Sequence, residues 1–273
     1  MHAPARTASV MAQRWGLRLG PPFASLELNY VAPAIRADGI RCVLKVSSDM
    51  REMRAEMSAL RIWGGRGAAR VLEADPEVGA LLIELLEPGT HLTQVAESDD
   101  DAATRIAADL LRTLWVPIPP STEVRPLEDW CAAYERNRPT LLREDVGFPR
   151  QLFRQADALR QQLLASSPSP VLLHGDLHHF NVVRHQHGWR AIDPKGLAGD
   201  RCFDVCQFLM NPRPMPLSVN RRRLEIFCSE LGLDRQRTRD WCLVHAVLNS
   251  LWEFEAGRAW QEAVSYAEQA LLF

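Results

Sequence analysis

A chain of 273 residues with a net charge of −2 and 24% charged residues can fill one large domain or two lobes, and carries no electrostatic footprint for nucleic acid. Six scattered cysteines (42, 131, 202, 206, 228 and 242), with no C-x-x-C pair, read as reduced core residues rather than a disulfide frame. No stretch approaches the roughly 18 apolar residues of a membrane span and the start has no signal-peptide core, so a cytoplasmic protein with no membrane partner is expected.

Residues 22–46 read as strands and turns, and Arg41–Val46 is a short apolar strand with Lys45 in it. Asp49 is a cap for a helix reaching Trp63, with Met53, Met57 and Leu60 at helical spacing. Gly64-Gly65-Arg66-Gly67 then ends a helix and leads into a strand. A phosphate-binding loop has the reverse order, so these glycines are read as a helix-ending turn. Strands at 69–73 and 80–85 are joined by a turn at Pro76 and Gly79, and Glu87-Pro88-Gly89 breaks the pattern. An α+β architecture follows: a small β-rich N-lobe over 1–87 and a larger helical C-lobe over 88–273.

The second part opens with Ser98 to Asp101, negative charge that suits a helix N-terminus, followed by the apolar stripe Ile106, Leu110, Leu111 and Leu114. Further helices are expected at 126–145, 149–165, 201–210, 221–231, 236–256 and 259–271. Pro168 and Pro170 precede the short apolar run Val171–Leu173. Arg221-Arg222-Arg223 is read as a solvated helix start.

The chemistry concentrates after Leu173, in His174-Gly175-Asp176-Leu177-His178-His179-Phe180-Asn181 and Ile192-Asp193-Pro194. Val182–Arg184 and Trp189–Ile192 read as two strands about a turn at 185–188. If 184 faces 189, then 181 faces 192, and Asn181 and Asp193 meet at one end of the hairpin with Asp176 in the loop before it. Phosphoryl transfer needs these groups: one carboxylate to take the acceptor's proton, and an amide with a second carboxylate to hold Mg²⁺ on nucleotide phosphates.

Lysine and arginine together number 32, yet lysine occurs only at 45 and 195. A compact ammonium at Lys45 suits the α- and β-phosphates, where the wider guanidinium is no equivalent. Glu56 is its expected ion-pair partner and Glu52, one turn earlier, the competitor. Lys195, two residues past Asp193, either approaches phosphate or is an exposed lysine, the second being favoured. Five of the eight histidines fall within 174–187, but no cysteine or carboxylate completes a zinc spacing, so imidazole-bound metal is not expected. His174 is expected to fix the loop through backbone hydrogen bonds.

These motifs resemble those of the aminoglycoside phosphotransferases, small-molecule kinases related to protein kinases. His-Gly-Asp-Leu-His-His with Ile-Asp-Pro-x-Gly-Leu is most similar to the streptomycin-type branch, the aminoglycoside/hydroxyurea resistance kinases. The resemblance runs from about residue 20 to the C-terminus and is strongest over 171–204. It implies a two-lobe protein-kinase-like fold, ATP and Mg²⁺, a monomer, and a small-molecule acceptor: a streptomycin-like aminoglycoside or hydroxyurea first, a housekeeping sugar or amino alcohol second. A kinase-like protein that binds nucleotide or a partner without catalysis is the remaining alternative. In these terms Asp176 is the base, Asn181 and Asp193 hold the metal, Lys45 and Glu56 position phosphate, and Asp204 braces the catalytic loop. Pro22–Leu26, with the Ser25 hydroxyl, either covers phosphate or is a plain turn. Glu84-Leu85-Leu86 is the linker whose backbone meets the adenine edge, and Trp252, Glu253 and Glu255 fall where relatives build the acceptor pocket.

Overall fold

The computed structural model describes residues 3–25, 29–143, 146–212 and 215–273. The chain opens with a helix that the sequence pattern did not disclose, α1 (Ala3–Arg14). Then come β1 (Leu17–Leu19), β2 (Ala24–Ser25), β3 (Asn29–Arg36), β4 (Arg41–Ser47), α2 (Met50–Trp63), β5 (Val71–Asp75) and β6 (Ala80–Glu84). The strands form an antiparallel sheet in the order β1-β3-β4-β6-β5, with β2 paired to β3. Strand alternation decides what each face does. Cys42, Leu44 and Val46 of β4 pack with Ala8 and Met11 of α1 on one face. Lys45 has the opposite parity and meets α2 on the other. Asp49 caps α2 by accepting from the Glu52 N–H, and Gly64 ends it in the left-handed conformation, as the sequence signals predict.

The second part holds β7 (Pro88–His91), α3 (Thr93–Ala96), α4 (Asp100–Leu114), β8 (Arg125–Pro126), α5 (Leu127–Trp130), α6 (Ala133–Arg143), α7 (Arg150–Ala165) and β9 (Val171–Leu173). A 3₁₀ turn at His179–Asn181 leads into β10 (Val182–His185) and β11 (Gly188–Ala191), followed by β12 (Leu197–Gly199), α8 (Arg201–Asp204) and α9 (Cys206–Leu209). The chain ends with α10 (Leu217–Leu231), α11 (Arg235–Glu255) and α12 (Gln261–Ala270). The helix at the centre is α11: eleven of its residues are buried, and α6, α7 and α12 pack around it. One apolar core runs from Met53, Met57 and Trp63 of α2 to Ala270 and Phe273.

Two expected helices are interrupted. The 126–145 segment starts as a strand, because Arg125 and Pro126 pair with β12, and it breaks again between Trp130 and Ala133; residues 144 and 145 lie outside the described set. The 201–210 segment is two single turns, α8 capped by Asp200 and α9 following Val205. At 125–126 pairing with β12 overrides the helical pattern. Among the described residues no helix is long and apolar enough to cross a membrane.

Candidate active site

The hairpin has the register read from sequence. Arg184 pairs with Trp189 and Val182 with Ala191, and the Ile192 N–H donates to the Asn181 carbonyl at 3.0 Å. Asn181 and Asp193 therefore leave the ladder side by side. Asp193 sits at φ 59°, a left-handed conformation few residues adopt, which turns its carboxylate out of the strand line. The Asn181 amide donates to the Asp176 carbonyl at 3.0 Å, which leaves its oxygen for another partner.

His174 ties the two halves of the motif together. Its Nδ1 accepts from the Asp176 N–H at 3.2 Å, so the proton of the neutral ring is on Nε2, 3.0 Å from the Ile192 carbonyl. Burial depresses its pKa to about 3 and keeps the ring neutral, with the Trp63 ring stacked 6.3 Å away. Asp204 accepts from the backbone N–H groups of Gly175 at 2.7 Å and His174 at 3.0 Å, and from the Trp115 indole at 3.0 Å. Gly175, at φ 80°, could carry no side chain, since a Cβ would lie 2.8 Å from Leu197. Removing the carboxylate strands buried donors at about 1–3 kcal/mol each. Asp204→Ala should therefore lower unfolding free energy by about 2–5 kcal/mol in denaturant titration. A loss below about 1 kcal/mol would show that Asp204 is not the brace.

Both lysines of the chain lie here. The Lys45 ammonium donates to Glu56 at 2.6 Å and to Asp193, joining the sheet, α2 and the hairpin. Glu52, the competing partner, instead takes the Lys195 ammonium at 2.5 Å. The favoured reading of Lys195 as exposed is thereby corrected: its side chain is 18% exposed and salt-bridged. Its partner is 143 residues away in sequence, so no local pattern could reveal it. Burial opposes charge at Asp193, but Lys45 and Lys195 outweigh it and hold the carboxyl well below the usual range. Burial also opposes charge at Lys45, which Glu56 and Asp193 keep protonated.

Asp176 has the opposite electrostatics. Burial pushes its pKa up to about 7, with Asp193 and Glu52 adding to the rise and Lys195 and the Gln207 amide opposing it. Gln207, on α9, went unnoticed in the sequence; its spacing of three from Asp204 on an expected helix was the available signal. The His178 Nε2 stands 3.9 Å from the Asp176 carboxylate, while its Nδ1 accepts from the Phe180 N–H.

The outer parts are less closely drawn together. Ser25 lies in β2, paired with Tyr30, whereas its side chain and the continuation through Leu26 fall outside what is described. The Glu84 side chain accepts from the Arg70 N–H at 2.8 Å. Leu86 joins Ala69 and Val183 in a small apolar cluster against Ile192, the residue before Asp193. Trp252 meets Trp130 edge-on at 5.1 Å. Glu253 and Glu255, expected near a cationic acceptor, each hold an arginine. Glu255 binds Arg136 through two bonds of 2.8 Å and takes the Asn137 amide, and Glu253 binds Arg258 at 2.6 Å.

The donor set suits Mg²⁺. It offers one ionised carboxylate and one amide oxygen, both hard ligands, and the remaining positions would go to phosphate and water. Among the described residues no group of three or more His, Cys, Asp or Glu side chains could hold a metal ion. His179 is instead buried and stacked on Phe208 at 3.9 Å.

The arrangement has counterparts among known proteins. Residues 23–257 match the family described as aminoglycoside/hydroxyurea antibiotic resistance kinase. The chain is 37% identical over 265 residues to a hydroxyurea phosphotransferase of Kitasatospora aureofaciens, covering 93% of this chain and 74% of that protein. It is 35% identical over 258 residues to a streptomycin 6-kinase of Streptomyces glaucescens, covering 91% and 82%. The fold is that of a solved aminoglycoside phosphotransferase in ternary complex with ADP and hygromycin B, with a TM-score of 0.71, 14% identity and 96% of each chain covered.

Proposed function

Since the chain belongs to the aminoglycoside/hydroxyurea antibiotic resistance kinase family, we propose that it transfers the γ-phosphoryl group of ATP to a hydroxyl of a small molecule. The observation that carries this reading is the Lys45 ammonium shared between Glu56 and Asp193, with Asp193 beside Asn181 at the end of the hairpin that follows the loop of Asp176. Three distant segments meet there around opposite charges, an arrangement suited to polyphosphate.

Asp176 accepts the proton of the acceptor hydroxyl as its oxygen bonds to the γ-phosphorus. The bond from that phosphorus to the β,γ-bridging oxygen breaks, and ADP leaves with the electron pair. Lys45, held by Glu56, positions the α- and β-phosphates. Asn181 and Asp193 would hold Mg²⁺, which when bound would offset the negative charge of the phosphates. His174 and Asp204 keep the loop in place. Residues 1–87 thus serve the nucleotide, with the adenine beside Leu86, and 88–273 supply the base, the metal ligands and the acceptor site near Trp252. Six free cysteines suit a reducing cytoplasm, and the chain is assigned there as a monomer.

The acceptors proposed are a streptomycin-like aminoglycoside and hydroxyurea. Purified protein with ATP, Mg²⁺ and each compound, followed by mass spectrometry of the acceptor, tests this. An added phosphoryl mass on either supports it. Phosphorylation only of a sugar or amino alcohol would replace the resistance reading with a metabolic one, and no transfer to any acceptor would remove catalysis.

The rate should also depend on pH in a stated direction. The base works only when ionised, and burial raises the pKa of Asp176 to about 7. Activity should therefore be full above that pH and lost as pH falls through it, with kcat/KM reporting the free enzyme. A profile flat down to about pH 5 would exclude Asp176 as the titrating base.

A further inference from the structure

Lys195 has no part in the reaction as described so far, yet its surroundings single it out. Lysine occurs at two positions against 32 basic residues in all, and both lysines lie in the same cleft. They are held by glutamates four residues apart on α2, Lys195 by Glu52 and Lys45 by Glu56. The backbone under Lys195 is fixed on several sides. Its N–H donates to the His174 carbonyl at 2.7 Å, and the Arg125 N–H donates to the Gly196 carbonyl at 2.9 Å. Gly196, at φ 58°, presses so close to α2 that a Cβ would lie 2.3 Å from the Ala55 carbonyl. Gly175, the residue before Asp176, faces the Lys195 Cβ, where a side chain would stand 3.1 Å away. The ammonium therefore rises between the loop of the base and the loop of Asp193, near enough for its charge to act on both carboxylates.

We propose that Lys195 is a catalytic residue that donates to the oxygens of the phosphoryl group during transfer, with Glu52 holding its ammonium in place. This rests on the phosphotransferase reading. When the γ-phosphoryl group leaves the bridging oxygen of ADP for the acceptor oxygen, negative charge spreads over its three equatorial oxygens while the acceptor proton passes to Asp176. A fixed cation aimed at that charge stabilises the transition state more than the bound nucleotide. A compact ammonium with three donors can keep one on Glu52 and turn the others to phosphoryl oxygens, whereas arginine's longer planar fork would place its donors in different positions.

The test uses full-length protein with Lys195→Met, Lys195→Arg and Glu52→Gln, and reads turnover, melting temperature and two affinities by calorimetry. One probe is ADP with aluminium fluoride, which mimics the transferring phosphoryl group; the other is a non-hydrolysable ATP analogue. Lys195→Met should lower kcat by about 10²- to 10³-fold, the scale of losing one fixed transition-state donor. Its affinity for ADP–aluminium fluoride should fall at least tenfold and its affinity for the ATP analogue less than threefold. Lys195→Arg should recover only part of the rate, and Glu52→Gln should lose less than Lys195→Met. A merely structural lysine would weaken both affinities together or lower the melting temperature with them, and either result overturns the proposal. So does a Lys195→Met protein that keeps more than a third of wild-type turnover. If Lys195→Met fails to fold, the arginine variant carries the same comparison, and equal loss on both probes is again fatal. Wild-type protein that transfers no phosphoryl group at all would instead sink the underlying function.

Discussion

Asp176→Asn should cost about 10²- to 10⁴-fold in kcat, the usual scale for loss of a general base. Its affinity for ATP should stay within about threefold, because the carboxylate serves the acceptor rather than the nucleotide. The substitution is clean in this setting. The loop is held through the Asp176 backbone, whose N–H meets His174 and whose carbonyl takes the Asn181 amide, so an isosteric side chain leaves those bonds intact. Steady-state kinetics with the acceptor identified in the panel, beside calorimetric nucleotide titration, decides it. A variant that keeps more than about a tenth of the wild-type rate would take Asp176 out of the chemistry.

Asp193→Ala should act on nucleotide as well as on turnover. Its carboxylate is both the proposed metal ligand and a partner of Lys45, so two cation contacts go at once. Mg·ATP affinity should fall at least tenfold, with part of it regained at high Mg²⁺, and turnover should fall about 10³-fold. Because residue 193 sits at φ 59°, alanine there is also strained. Asp193→Asn is the cleaner companion, since asparagine tolerates that conformation and removes only the charge. Nucleotide affinity that is unchanged and indifferent to Mg²⁺ in both variants would displace Asp193 from the metal site.

What could be read from sequence follows from how local each signal is. The hairpin and its register were legible because turn residues and alternating apolar residues sit within about a dozen positions, and 184 does face 189. The cap at Asp49 and the glycine at 64 were equally local. By contrast α1 has no capping signal, and its buried stripe is only Pro4, Ala8, Met11 and Ala12, with one long apolar side chain among them. Strands such as β8 and β12 are two or three residues long and exist only through partners far along the chain. The pairings of Glu253 and Glu255 with arginines were likewise invisible, because charge on a helix face says nothing of what faces it. Glu52 and Glu56 lie one helical turn apart, and that each holds a different lysine is visible only in three dimensions.

Placing every side-chain amine of the protein in one cleft has a chemical consequence outside catalysis. Acylating, carbamylating and amine-coupling reagents attack the neutral form of lysine, and here they meet an arginine-bearing exterior that offers no lysine target. The two ammonium groups they could reach are mostly covered and paired with carboxylates that keep them protonated. The chain should be slow to modify through lysine, and the first lysine that does react should inactivate it.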